Sequence, residues 1–448
     1  METPELHEDL WARVRRHYGI PDLDTDLVRK WEQFYLARPD YLKRMFDRGG
    51  LYLFHIVEEV TRRGLPSELA LLPFIESAFN PLALSSARAS GIWQFMPATG
   101  RHFDLRQNLF RDDRRSVLDS TRAALDYLQQ LHGLFGDWQL ALAAYNWGQG
   151  NVSRALAVNR RQGRGLGYLD LSMPDETRNY VPKLQAIANL VEQPERFGLE
   201  LPPLENHPYF LTVTVDRDID VDLVARLAGV SLEEFQALNP QLNKPVILAA
   251  GTPQLLLPFE NARRYLRELA KHRGPFASWT AWVAPRTLSA REAARSVGTS
   301  EEQLRGVNRI PPRMLIRAGS TLLVPRSASS QRDVPEHLAD TASLSLASEA
   351  AAGRRKIVRA GPRGESVAAL ARRHRVSAVQ LARWNGMSTD GHFKPGEKVV
   401  IQLPPARGRS TKAQPARSAK AETRQGAKPP RRPSGKAASN RRVDLAGR

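Results

Sequence analysis

The chain has 448 residues, 42% of them apolar, enough for several domains and at least one large core. It has no cysteine, which excludes disulfides, thiolate metal sites, a cysteine nucleophile and a lipid-bearing cysteine within these residues, and it has no run of about 18 apolar residues, so no transmembrane helix is expected. The net charge is +19; the stretch from Pro405 to Arg448 alone holds 13 Lys or Arg against Glu422 and Asp444, a local charge of +11.

The first 20 residues carry early acids and no apolar stretch, so they do not read as a secretory signal. Residues 1–60 read as a helical segment packed on the domain that follows, because Trp11, Val14 and Tyr18, then Leu51, Phe54, Ile56, Val57 and Val60, recur at helical spacing. Residues 61–200 read as a compact, mainly α domain. Pro66 sits where a first-turn proline opens a helix, and the run that follows it is apolar almost all round, hence buried. Asp119, Ser120 and Thr121 form a capping cluster before Ala123, Leu125, Leu128 and Leu131, in a helix that stops near Gly133 and Gly136. Asp137 is placed to cap the next helix, Trp138 to Trp147, which ends at Gly148 and Gly150. Pro202, Pro203 and Pro208 punctuate a linker.

Three stretches then share a pattern, 208–260, 276–326 and 355–404. Ser231, Ser300 and Ser377 each precede an Asn by eight residues, namely Asn239, Asn308 and Asn385. Each Ser follows an Ala by six residues and is followed after four by an apolar residue. Each stretch closes on an apolar-Pro step with a glycine (Gly251, Gly319 or Gly396) shortly before it. The order expected is strand, helix, turn, helix, strand. These units resemble LysM domains, small βααβ modules that bind N-acetylglucosamine-containing glycans. The third matches best and the first least, so the first is expected to act as a spacer. Residues 327–354 are Ser/Ala-rich and read as a linker. Residues 405–448 read as a disordered basic tail. Two readings of the tail stand side by side: adhesion to a polyanion such as an anionic wall polymer, or a solubilising tail with no partner. Its lack of aromatic residues argues against specific nucleic-acid binding.

Four polar clusters carry chemistry in the α domain. Glu76 ends the apolar run, and a carboxyl that loses solvation there has a raised pKa, as a general acid near neutral pH requires. Alone, that pattern equally fits a helix-end Glu bonded to backbone or to an Arg. A loop of small residues leads to Gly91, Trp93, Gln94, Phe95, Met96 and Pro97; the Trp93 and Phe95 rings offer faces on which sugars stack, though Phe95 and Met96 fit a plain core as well. The others are Ala144-Tyr145-Asn146-Trp147-Gly148 and Glu176-Thr177-Arg178-Asn179-Tyr180-Val181. The ten histidines show no metal-ligand spacing, so no metal or cofactor is expected.

The ordered set ESxFxPxAxSxAxxSGxWQFMP, AYNWG and ETRNYV resembles the catalytic domain of soluble lytic transglycosylases. With the repeats, the chain is most similar to the membrane-bound lytic transglycosylase D family over roughly residues 10–260, and through the LysM likeness to 404. The resemblance implies a mainly α, goose-lysozyme-like catalytic domain followed by LysM modules. It also implies non-hydrolytic cleavage of the β-1,4 bond between N-acetylmuramic acid and N-acetylglucosamine, leaving 1,6-anhydromuramyl ends. Glu76 would be the sole catalytic acid and base. Ser85, Gln94 and Met96 would line the muramyl subsites, Tyr145 with Asn146 would face the acid across the cleft, and Glu176 and Tyr180 would shape the groove. The partner would be peptidoglycan glycan strands, the protein a monomer, and its place the periplasm or the cell envelope. A hydrolytic muramidase of the same fold and a non-catalytic wall-binding protein are the alternatives.

Overall fold

The computed structural model describes residues 9–252, 254–327, 332–349 and 354–403. The basic tail expected over 405–448 lies outside the described residues. The architecture is a helical domain followed by small modules that contain strands.

The N-terminal helix Leu10–Arg16 is tied into the helical domain by Trp11. Its indole donates to the Pro202 carbonyl at 2.8 Å, and its ring meets Phe46 edge-on at 5.3 Å. One apolar core runs from there through Phe46, Tyr52, Phe74, Phe79, Trp93 and Leu128 to Leu190. The run after Pro66 forms two segments rather than one helix. Pro66 is extended and precedes a 3-10 turn, Ser67–Leu71; the α-helix Leu72–Ser77 then starts with Pro73 in its first turn. A proline has no N–H to give, so a helix start is the one helical place that loses nothing by holding it.

The long helix Val117–Phe135 begins earlier than the Asp119 cluster suggested. Ser116 is the cap, accepting from the Asp119 N–H, while Ser120 and Thr121 lie inside the helix, fully buried. Val117 is also buried, so the apolar stripe extends to it and carries the start with it. Gly136, at φ 67°, ends this helix, and Asp137 caps Trp138–Trp147 by accepting from Leu140 N–H at 2.8 Å, as expected.

The modules repeat one plan. In the first, Phe210–Thr214 pairs antiparallel with Gln254–Pro258 around the helices Val221–Ala228 and Leu232–Leu238. In the second, Trp279–Val283 pairs with Thr321–Pro325 around Ala290–Ser296 and Glu301–Asn308. The repeated Asn has one structural task throughout. Asn239, Asn308 and Asn385 each donate to the carbonyl four residues back and clasp one residue of the closing strand (Leu256, Leu323 and Val400) through both its N–H and its C=O. A buried primary amide satisfied on both sides welds helix to strand. The first module also adds a helix, Phe259–Lys271, whose buried Ala262 and Tyr265 complete its core.

The stretch 327–354, expected to be a plain linker, carries structure in its described part. Residues 332–349 hold the helix Glu336–Thr341 and the strand Leu346–Ser348, which pairs with Met314–Ile316 of the second module. Asn108 of the helical domain donates to the Ala339 and Asp340 carbonyls, and Leu109 N–H to Ala342 O. Phe110, Val246, Leu248, Leu323, Val334 and Ala339 form an apolar cluster that joins this segment to the helical domain and both modules. The sequence reads as linker because its apolar residues are few and small; their partners lie far back in the chain.

The described residues 354–403 belong to a second compact unit. There Arg354–Arg359 pairs with Lys398–Leu403 and Glu365–Ser366 with His392–Phe393, over a core of Leu370, Leu381, Phe393, Val399 and Ile401.

Candidate active site

Glu76 lies one residue from the end of the helix Leu72–Ser77, which Ala78 and Phe79 stop by turning left-handed at φ 52° and 53°. Phe79 is driven fully into the core, and its ring packs edge-on to Phe74 at 4.6 Å. That anchoring fixes the helix end and leaves Glu76 half-buried. Ser77 ties the same end to the next loop by donating to the Ile92 carbonyl at 3.0 Å.

The loop 80–95 folds on itself. Asn80 accepts from Leu82 N–H, Ser85 Oγ accepts from Ala89 N–H at 2.9 Å, and Ser90 bridges to both Leu84 and Phe95. Gly91, at φ 84°, sits so close to the Arg114 backbone that a Cβ there would meet its carbonyl oxygen at 2.0 Å. Gln94 is also left-handed, at φ 50°, and its amide nitrogen returns to Gly91 O at 2.8 Å. Met96 is 43% exposed.

The two rings expected to present faces to sugars do not. Trp93 is fully buried with its indole N–H bonded to Thr121 Oγ1 at 3.1 Å, and Phe95 is buried too. With both at core positions, what the loop leaves accessible is Ser85, Gln94 and Met96 rather than aromatic planes.

From the other side come Tyr145 and Tyr180. Tyr180 donates to Glu76 Oε1 at 2.5 Å. It was expected to shape the groove; it touches the acid itself and is buried. Tyr145 donates to the Trp93 carbonyl at 3.0 Å, packing its ring edge-on to Phe95. Asn146 Oδ1 accepts from Thr177 Oγ1 at 2.7 Å, which links the AYNWG helix to the short helix Asp175–Arg178. Glu176, on that helix, is exposed.

Burial pushes the Glu76 carboxyl up to about 7, the Tyr180 hydrogen bond opposes this, the negative charge of Glu176 adds to it and Lys183 subtracts. Burial and the Glu76 charge hold both tyrosines well above the usual phenol range, so they act as donors. Glu76, Tyr180 and Tyr145 thus converge, with Asn146 and Glu176 behind them, while Ser85, Gln94 and Met96 stand on the facing loop. Lys183 was not singled out from sequence; it lies three residues beyond Tyr180, one helical turn on. Among the described residues no group of three or more His, Cys, Asp or Glu is placed to hold a metal ion.

Comparison with known proteins gives the chain its relatives. Residues 55–165 match the Transglycosylase SLT domain, 209–274 the LysM-like domain of lytic transglycosylase MltD, and 294–325 and 363–402 the LysM domain. Membrane-bound lytic murein transglycosylase D of Escherichia coli is 32% identical over 409 residues, 88% of this chain and 85% of that one. A putative tributyltin chloride resistance protein of an Alteromonas species is 36% identical over 189 residues, 42% of this chain and 88% of that protein. A solved structure of the lytic transglycosylase Slt of Pseudomonas aeruginosa aligns at 29% identity over 33% of this chain and 24% of that one, with a TM-score of 0.26. The chain belongs to the membrane-bound lytic murein transglycosylase D family.

Proposed function

We propose that Glu76 is the single acid and base of a peptidoglycan lytic transglycosylase, the activity of the family to which the chain belongs. The observation that carries this is a half-buried carboxyl raised to about 7 whose one hydrogen-bond partner among the described residues is a phenol. Near neutral pH such a group is present both as acid and as carboxylate. Tyr180 occupies one carboxyl oxygen and leaves the other to carry the proton.

Most glycosidases place a second carboxylate beside the acid. Here the exposed Glu176 reaches Glu76 only through its charge. The substrate then supplies the second group. Glu76 gives its proton to the glycosidic oxygen as the C1–O bond breaks, and the muramyl N-acetyl group stabilises the cationic centre. The Glu76 carboxylate next takes the proton of the sugar's own C6 hydroxyl, whose oxygen closes on C1. The proton is back on Glu76, no water is consumed, and the product ends in 1,6-anhydromuramic acid. Holding both groups in one ring provides the proximity that a protein nucleophile would otherwise provide.

Ser85, Gln94 and Met96 line the muramyl side of the groove, Tyr145 faces the acid with Asn146 behind it, and Glu176 and Tyr180 form the opposite wall. The second and third modules hold glycan while the first is a spacer, its loops packed against the helical domain. Peptidoglycan is the partner and the cell envelope the site of action. We assign the periplasm as the compartment, a monomer as the working form, and contact with an anionic envelope polymer to the tail 405–448. No helix among the described residues is long and apolar enough to cross a membrane.

The test is Glu76→Gln against wild type on purified sacculi. Wild type is expected to release muropeptides one water lighter than the reducing products of a muramidase. The variant is expected to lose activity by roughly 100-fold or more. Reducing-end muramic acid alone would establish the hydrolytic reading, and equal release by the variant would remove Glu76 from the chemistry.

A further inference from the structure

A cavity of about 330 Å³ opens where the helical domain meets the first two modules. Three cations line it: Arg115 from the helical domain, Lys244 from the first module and Arg309 from the second. The one carboxylate in its lining is the exposed Asp222. Asp112, whose charge reaches Arg115, is already committed to Arg114 through two hydrogen bonds of 2.9 and 2.7 Å.

None of the three cations makes an ion pair among the described residues. Lys244 is only 8% exposed, and its ammonium makes one hydrogen bond, to the Val307 carbonyl at 2.8 Å. Arg115 gives one nitrogen to Asn243 Oδ1, and its buried Nε has no partner. The Arg309 guanidinium has no hydrogen bond or ion pair among the described residues, and its charge bears on both neighbours. Burial and that charge push Lys244 down to about 8. Arg309 is exposed, while Lys244 and the Arg115 Nε are buried beside it, and like charges meeting at such a desolvated spot are unfavourable unless an anion joins them.

The internal repeat shows what the turn at Arg309 accepts. Arg309 follows Asn308 in the left-handed region, at φ 54°, as the C-cap of its helix. The matching residue after Asn385 in the third module is a glycine, Gly386, at φ 64°. A glycine makes that turn without the steric penalty a side chain brings. The second module keeps an arginine where its sister keeps the residue the backbone favours, so either Gly or Asn can replace Arg309 without disturbing the turn.

The cavity backs onto the substrate loop. Leu82, in its lining, belongs to the loop that carries Ser85 and Gln94, and Gly91 of that loop rests on the Arg114 and Arg115 backbone. An anion bound here therefore lies beside the loop that carries Ser85 and Gln94. The sugar backbone of peptidoglycan carries no charge along its length; its acids are on the peptide stems attached to the muramyl residues. We propose that the Arg115, Lys244 and Arg309 cavity binds a carboxylate of the peptide stem borne by the strand at Glu76. This rests on the transglycosylase reading above and extends it to the substrate's peptide. Guanidinium and ammonium donors converging on one pocket suit a carboxylate through charge-assisted hydrogen bonds.

The experiment compares full-length wild type with Arg309→Gly and Arg309→Asn. The substrates are glycan strands that carry stems and the same strands with their stem carboxylates converted to carboxamides, because removing the stems would free a lactyl carboxylate on every muramyl residue. Both replacements accept the left-handed turn, and unchanged or higher melting temperatures check that the fold is kept. The expected result is a KM about tenfold higher on strands with charged stems with kcat unchanged, and no such rise on strands with carboxamide stems. A KM that rises equally on both substrates, or on neither, overturns the proposal. Absence of anhydro product from wild type on either substrate would instead sink the transglycosylase reading, so the two failures are told apart.

Discussion

A phenol that donates to a carboxyl oxygen favours the ionised form, so Tyr180 works against the burial that raises Glu76. The first chemical step needs Glu76 protonated, and turnover falls as pH rises through the acid's pKa. Removing the phenolic hydroxyl takes away the one hydrogen bond that stabilises the carboxylate. Tyr180→Phe is therefore expected to move the basic limb of the kcat/KM profile to higher pH, by about one pH unit. A profile that keeps its basic limb in place, or moves it down, would show that the phenol does not set the acid. The ring stays in the buried site in this variant, so melting temperature is expected to change little beyond the loss of one hydrogen bond, about 1 kcal/mol.

At the scale of elements, the loop 80–95 depends on one close approach. A methyl group at Gly91 would have to sit 2.0 Å from the Arg114 carbonyl oxygen, in a backbone region that also disfavours it. Gly91→Ala is expected to cost about 3 kcal/mol or more and to displace Ser85 and Gln94 from the groove wall, as overpacking and left-handed strain act together. Thermal melting with turnover on soluble strands would measure both effects. Glu76, Tyr145 and Tyr180 were legible as candidates, because each lies in a short motif, but the hydrogen bond from Tyr180 to Glu76 required the fold. The directions of Trp93 and Phe95 were not. Aromatic type names a ring, but whether its face meets sugar or core is decided by Thr121 and Tyr145, which arrive from helices further along. The start of the helix at Ser116 was missed for a related reason. Asp119 looks like a cap by type, yet the buried Val117 pulls the helix back one more turn. The repeated asparagines were visible as a pattern; that they fasten strand to helix required the fold.

Across the first unit, the segment 332–349 clasps the first two modules to the helical domain. Its anchor is the buried pair of Arg326 and Asp218 at 2.7 Å, and Asp218 also accepts from the Val334 and Ala249 N–H groups. Asp218→Ala would leave the guanidinium buried against lost acceptors and is expected to cost about 3–5 kcal/mol. Hydrogen exchange should then accelerate first in 332–349, and loss of protection confined to the helical domain would contradict the assignment. This clasp is the part of the fold least readable from sequence, since Asn108 finds Ala339 across 231 positions. That separation also orders events in time. A chain made from its N-terminus has the complete Glu76 site long before the residues that close the clasp exist. From Tyr180 to Ala339 is 159 residues, and at ~5–20 residues per second adding them takes roughly ten to thirty seconds. The seam that holds Arg115, Lys244 and Arg309 together is thus among the last features to form, and a newly made chain carries its chemistry before its means of presenting a substrate to it.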